Sequence, residues 1–170
     1  MKFKNTIIIF NLLLLLLSFE ILAENESPQK LGKFDNWNVY SKSKSLCYMI
    51  AEPKKLEGNY TMRGRVRIVV YRNSKKKDKN LVGFDFGYSF PENSKASIKI
   101  DSKKTFKLST FGQTAWTGSK TKSDKEIINE MIKGNVLIAL GQSKKGTQTK
   151  DTYYLKGFSK AFKEIRNYCG

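Results

Sequence analysis

The stretch that decides the fold is RGRVRIVVYRNSKKKDKNLVGFDFGYSF, residues 63–90. Its first part alternates. Met62, Val66, Ile68 and Val70 fall on one side of an extended chain, and Arg63, Arg65 and Arg67 on the other, because successive β side chains point to opposite faces. Asn73 to Asn80 is a polar, lysine-rich loop. Leu81 to Phe90 then alternates again, with Val82, Phe84, Phe86, Tyr88 and Phe90 on one face. Two alternating runs joined by a polar loop predict a pair of antiparallel strands with one buried and one outer face.

The same pattern continues outward. Trp37–Val39 and Cys47–Ala51 read as earlier strands. Ala96–Asp101 and Thr105–Ser109 read as a hairpin that turns at Ser102-Lys-Lys104, with Ile98, Ile100, Phe106 and Leu108 inward. Val136–Gly141 is almost wholly apolar and suits a central strand. Thr149–Leu155 follows after a turn at Lys145-Gly146-Thr147. Two helices are expected. Ser123-Asp-Lys-Glu126 has the spacing of a capping box ahead of Ile127, Ile128, Met131 and Ile132, with Gly134 as the stop. Ser159 is placed to cap a last helix with Ala161, Phe162, Ile165 and Tyr168 inward. Many short strands and two late helices predict a mainly β chain, a sandwich or barrel whose helices cover an edge or close one end.

The ends of the chain speak about export. Lys2 and Lys4, the apolar run from Ile7 through Leu17, and Ala23 read as a secretory signal peptide over residues 1–23. Sixteen residues from Ile7 to Leu22, interrupted by Asn11 and Glu20, fall short of the roughly 20 that a spanning helix needs, so no transmembrane span is expected after cleavage. Residues 24–33 read as a polar lead-in and 34–170 as one domain. Removing Met1–Ala23 leaves 147 residues with a net charge of +16, enough chain for one substantial core. Cys47 and Cys169 are the only cysteines. In an exported chain they read as one disulfide, the alternative being two buried thiols.

Composition removes several chemistries. The chain has no histidine, which excludes Ser-His and Cys-His nucleophile pairs and most zinc sites. Gly141 to Gly146 has the spacing of a phosphate loop but lacks its lysine, and Gly141-Gln-Ser143 lacks the rest of a nucleophile elbow. Ser41-Lys-Ser-Lys44 is a trivial match in so lysine-rich a chain. Asp85, Asp101, Asp124 and Asp151 are the candidate acids for a carboxylate-based reaction, each with an ordinary structural alternative. No cofactor is expected.

The formal charge of the whole chain is +17. Such an excess attracts anionic envelope polymer, lipid headgroups or an acidic protein. Nucleic acid is disfavoured, because the aromatics Phe84, Phe86 and Tyr88 share their face with aliphatics rather than with bases. Most lysines read as solvated surface. Arginine is different: four of the five lie between Arg63 and Arg72. Arg63, Arg65 and Arg67 are expected to line one sheet face over about 13 Å, at roughly 3.3 Å per residue. Register parity adds Asp85 to that face, and places Lys99 and Lys107 nearly opposite each other on the next hairpin. These five basic residues form the candidate anion-binding surface, against the plain alternative of a solvated basic face.

Taken in order, Trp37-x-Val-Tyr40, Cys47-Tyr48, Arg63-Gly64, Gly87-Tyr88, Ile98-x-Ile-Asp101, Phe106-x-Leu108 and Ala115-Trp116 form a recognisable series. It ends in Gly141-x-Ser-x-x-Gly-Thr-x-Thr-x-Asp-Thr-Tyr153 and Leu155-x-Gly-Phe158. The chain from Trp37 to Cys169 therefore resembles the invasion-associated locus B family of bacterial exported proteins, although its lysine content departs from the family's. The resemblance implies an immunoglobulin-like β-sandwich, a signal peptide, and a periplasmic, outer-membrane-associated or secreted location. It transfers no catalytic residue. The expectation is a non-enzymatic binding or interaction domain; the alternatives are a carboxylate- or lysine-dependent envelope hydrolase or transferase, and a purely structural envelope component.

Overall fold

The alternation in residues 66–72 builds the centre of one antiparallel sheet. The computed structural model describes residues 27–76, 80–117 and 121–170, with backbone only at 121–123. The expected signal segment 1–23 lies outside the described residues. Eleven strands form among the described residues: β1 (Gln29–Phe34), β2 (Trp37–Ser43), β3 (Leu46–Ala51), β4 (Lys55–Gly58), β5 (Arg67–Asn73), β6 (Asn80–Asp85), β7 (Lys95–Ile100), β8 (Lys104–Phe111), β9 (Thr114–Trp116), β10 (Val136–Gln142) and β11 (Gln148–Tyr154). Two helices follow the same numbering by chain order, α1 (Thr121–Lys133) and α2 (Phe158–Tyr168). The strand order is β1-β2-β3-β5-β6-β9-β8-β7-β10-β11-β4. Inward side chains from both halves of this sheet join one core, so the fold is sandwich-like and mainly β, as expected.

Register puts the apolar parity of each strand opposite that of its neighbour. Val39, Met49, Val70 and Val82 form one row across β2, β3, β5 and β6, all fully buried. Ile68 faces Phe84, and Ile98 faces Phe106, both as the patterning predicts. Each such buried side chain contributes about 1.5–3 kcal/mol relative to exposure. β10 lies between β7 and β11, which accounts for its continuous apolar run.

α2 packs on β1, β2 and β3, with Phe158 set edge-on to Trp37 at 4.9 Å between ring centres. The residue after this helix, Cys169, is bonded to Cys47 of β3, closing the domain across a separation of 122 residues. Arg72 is buried and donates from Nε to the Cys169 carbonyl at 2.9 Å, capping the end of the helix with a cation. α1 packs on β6 and α2. Asp124 in its first turn accepts from the Val82 backbone N–H at 2.9 Å and from the Thr117 hydroxyl, tying helix to sheet.

Five expectations are corrected. The lead-in ends early: Gln29–Phe34 forms a strand along the sheet edge beside β2, so pairing rather than an apolar pattern orders it. The first arginine strand begins at Arg67, not Arg63, because Gly64 bonds to Gly87 instead of entering a ladder. Met62 consequently lies outside the core and is 90% exposed. Helix α1 already includes Thr121, so Ser123 lies within it rather than ahead of it, and Glu126 pairs with Lys104 Nζ at 2.6 Å. Gly157, not Ser159, precedes α2; the Ser159 hydroxyl donates to the Ile132 carbonyl and joins the two helices.

Register also sorts the loops. The start of β5, β7, β9 and β11 and the end of β4, β6, β8 and β10 lie at one end of the sheet. The segments 59–66, 86–94, 111–113 and 143–147 therefore gather there. The Cys47–Cys169 bond and the β7–β8 turn lie at the opposite end.

Candidate functional site

At the loop end the motif pieces of the sequence converge on Arg63. Its Nη1 and Nη2 donate to Asp151 Oδ1 and Oδ2 at 2.6 Å each, and its Nε donates to the Phe86 carbonyl at 2.7 Å. The paired side chains are only 4% and 1% exposed. Tyr60 and Tyr88 lie against the guanidinium, with ring centres 5.4 and 5.1 Å away. The Tyr88 and Thr149 hydroxyls hydrogen-bond at 2.7 Å.

This approach needs bare backbone. Gly64 N–H donates to the Gly87 carbonyl at 2.8 Å. Gly87 has φ +69°, and a Cβ there would come within 2.5 Å of the Gly64 carbonyl oxygen.

Electrostatics follows from this geometry. Burial works against the Arg63 charge, but the hydrogen bonds and charge of Asp151 outweigh it and hold the guanidinium above its ordinary pKa. Burial holds the Asp151 carboxyl above its ordinary pKa, against the bonds and charge of Arg63, which lower it. Two short bonds in fork geometry join guanidinium and carboxyl. Burial also pushes the Tyr88 and Tyr153 hydroxyls up. Every guanidinium nitrogen of Arg63 thus donates to a protein acceptor, which fixes the group in the interior.

The expected arginine stripe is therefore not a stripe. Arg63 points inward to Asp151, Arg65 is exposed in the loop before β5, and Arg67 is in β5 with its Nε 2.5 Å from Asp85 Oδ2. The Asp85 position follows the expected register, since Arg67 and Asp85 are direct partners across β5 and β6. The lysines are also differently related. Lys99 faces Thr105 and Lys107 faces Ser97, so the two are diagonal neighbours rather than an opposed pair. Both are exposed on the outer face of β7 and β8, as is Lys95. The outer rows continue through Leu140 and Ile138 to Lys150 and Thr152, and then to Glu57 and Lys55. Glu57 pairs with both Lys55 and Lys150. Among the described residues no acid pairs with Lys95, Lys99 or Lys107.

Two features escaped the sequence reading. A cleft of about 560 Å³ opens at the loop end between Tyr60, Met62, Tyr88, Lys144, Lys145 and Thr147. Across the outer face of β2, β3, β5 and β9 run Tyr40, Tyr48, Tyr71 and Trp116, with successive ring centres 5.2, 5.8 and 6.4 Å apart. The Trp116 ring lies over Gly83, where a Cβ would come within 2.3 Å of it. Cross-strand register alone brings these rings together, and no local spacing announces it.

Among the described residues, no group of three or more His, Cys, Asp or Glu is arranged to hold a metal ion, and no helix is long and apolar enough to cross a membrane.

No curated protein sequence matches the chain. The crystal structure of invasion associated protein B from Bartonella henselae has the same fold, with a TM-score of 0.58 at 14% identity over 84% of this chain and 97% of that one. The family model described as "Invasion associated locus B (IalB) protein" matches residues 38–166, which include Arg63, Gly64, Gly87, Tyr88 and Asp151. That match spans most of the sheet and both partners of the buried ion pair, and the chain belongs to the invasion associated locus B family.

Proposed function

We propose that this protein is an exported, non-enzymatic binding domain of the bacterial envelope, and that it holds an anionic partner through the outer face of β7 and β8. The observation that carries the reading is the cluster of Lys95, Lys99 and Lys107 on that face without an acidic partner among the described residues. Three unneutralised ammonium groups on adjacent strands repel one another, and a bound anion relieves that repulsion. Lysine is a point charge on a flexible stem, which suits a polymer of repeated phosphates better than one planar carboxylate. Export is supported by the expected signal peptide, by the disulfide, and by the family.

The enzyme alternative loses its candidate acids. Asp85 is held by Arg67, Asp101 by the backbone N–H groups of Asn135 and Val136, Asp124 by Val82 and Thr117, and Asp151 by Arg63. Each is held by a different set of partners. Arg63 leaves the candidate surface because its side chain is buried on Asp151, and Arg65 lies apart in the loop before β5, while Lys99 and Lys107 stay on the β7–β8 face with Lys95.

The test is a titration of the mature protein with soluble polyphosphate across a salt series. Lys99→Ala/Lys107→Ala should weaken binding by roughly tenfold or more, at about 1 kcal/mol for each lysine near an anionic surface. Lys75→Ala/Lys76→Ala, in the exposed segment after β5, removes the same charge elsewhere. Equal losses in the two variants would mean diffuse attraction and would overturn the assignment of this face.

A further inference from the structure

We infer that the loop end of the sandwich docks onto an anionic phospholipid surface and inserts Met62 and Phe111 into it. This deepens the proposed function, since it rests on the same reading of an anionic partner and names one. Met62 and Phe111 are 90% and 82% exposed, the two most exposed large apolar side chains among the described residues. Met62 lies in the segment 59–66 and Phe111 ends β8, yet both places are tied to the segment 86–90. Gly64 donates to the Gly87 carbonyl at 2.8 Å, while Phe86 and Phe90 donate to the Gln113 and Gly112 carbonyls at 3.0 and 2.9 Å. Lys144 donates from its backbone to the Ser89 carbonyl at 2.7 Å, so the 143–147 turn belongs to the same cluster.

The charge at this end has one dominant sign. The four loops carry Arg65, Lys144 and Lys145 on exposed positions, besides the neutralised Arg63, against the single acid Glu92. Phe111 also continues the outward parity of Thr105, Lys107 and Ser109 along β8, so the basic outer face leads directly to it. Isolated exposed hydrophobics are ordinary on soluble proteins. Two of them at one end, with Lys144 and Lys145 lining the same cleft as Met62, match the pattern by which peripheral proteins seat an apolar tip below a layer of headgroups. A fluid acyl phase accepts two separate protrusions without a shaped receptor, whereas a protein partner needs a continuous complementary face. The lysines then lie level with lipid phosphates.

The experiment is co-sedimentation of the mature protein with vesicles of phosphatidylglycerol and phosphatidylethanolamine, against phosphatidylcholine vesicles. Wild type should bind the anionic vesicles selectively. Met62→Ser/Phe111→Ser should weaken that binding by at least about tenfold, since each side chain forfeits its apolar burial. The same variant should keep wild-type affinity for soluble polyphosphate. In a Phe111→Trp variant, emission should shift to the blue on vesicle addition, beyond any change in wild type. Unchanged vesicle binding by Met62→Ser/Phe111→Ser would overturn the inference. So would a wild-type protein that binds polyphosphate but not the anionic vesicles, which leaves the proposed function standing. Loss of both ligands by wild type would overturn the proposed function itself.

Discussion

Arg63 and Asp151 stand 88 residues apart in sequence and share two parallel 2.6 Å hydrogen bonds in the protein interior. This pair joins the segment before β5 to the inward face of β11, on opposite sides of the sheet order. It explains why Arg63-Gly64, Gly87-Tyr88 and the block ending in Asp151-Thr-Tyr153 occur together: they are the parts of one buried centre. Arg63 serves the fold there, and in the proposed function ligand recognition falls to cations on the surface.

Removing one member of the pair leaves an uncompensated buried charge. Asp151→Ala is expected to destabilise the protein by about 3–5 kcal/mol. Arg63→Met/Asp151→Leu should recover a large part of that loss, because both charges leave together. Urea unfolding of the two variants and the wild type measures the difference.

The Cys47–Cys169 bond closes a loop of 122 residues. A chain-entropy treatment gives about 5 kcal/mol for a loop of this length, and native disulfides are typically worth about 2–5 kcal/mol. Cys47→Ser/Cys169→Ser should lose stability in that range, and mass spectrometry of the native, non-reduced protein should find no alkylatable thiol.

Gly87 is held at φ +69° against Gly64. Gly87→Ala combines a left-handed conformation with a backbone collision, and should cost about 1–3 kcal/mol. Because the displaced backbone carries Tyr88, the Tyr88–Thr149 hydrogen bond should weaken too, visible as altered near-ultraviolet circular dichroism.

Asp101 gives the protein an acid limb. The backbone N–H groups of Val136 and Asn135 hold its carboxyl below the ordinary value of 3.8. A carboxyl with a depressed folded pKa contributes stability that is present above its unfolded pKa and is lost as pH falls through the folded one. Stability should therefore decline as pH drops below about 4. Asp101→Asn should flatten that part of the profile, measured by thermal unfolding between neutral pH and the acid range.

Much of the fold was legible because strands buried on one face carry a period of two. β5, β6, β7 and β8 pair in the expected register for that reason. β1 and β4 were not legible: QKLGKF and KLEG are short edge strands with few buried positions, and pairing with a neighbour is what orders them. The arginine stripe failed at Gly64. Alternation of Arg with Val continues in the sequence beyond the point where the chain leaves the sheet, and a glycine within a strand pattern was the available signal of a close backbone approach. The expected helix start at Ser123 came late, since the helix already includes Thr121, and the Glu126 pair with Lys104 depends on a partner that only the tertiary fold supplies. The row of Tyr40, Tyr48, Tyr71 and Trp116 depends on register across four strands, which composition does not encode.

In the proposed function Arg63 holds the fold, and the outer lysines hold an anion. The most direct test measures urea midpoint and polyphosphate affinity together for Arg63→Lys and Lys99→Ala/Lys107→Ala. Lysine cannot reproduce the forked contact with Asp151 and the Phe86 carbonyl. Arg63→Lys should lower the midpoint and leave the affinity of the folded protein unchanged, while the double lysine variant should keep the midpoint and lose affinity. An Arg63→Lys protein as stable as wild type but impaired in binding would contradict the account.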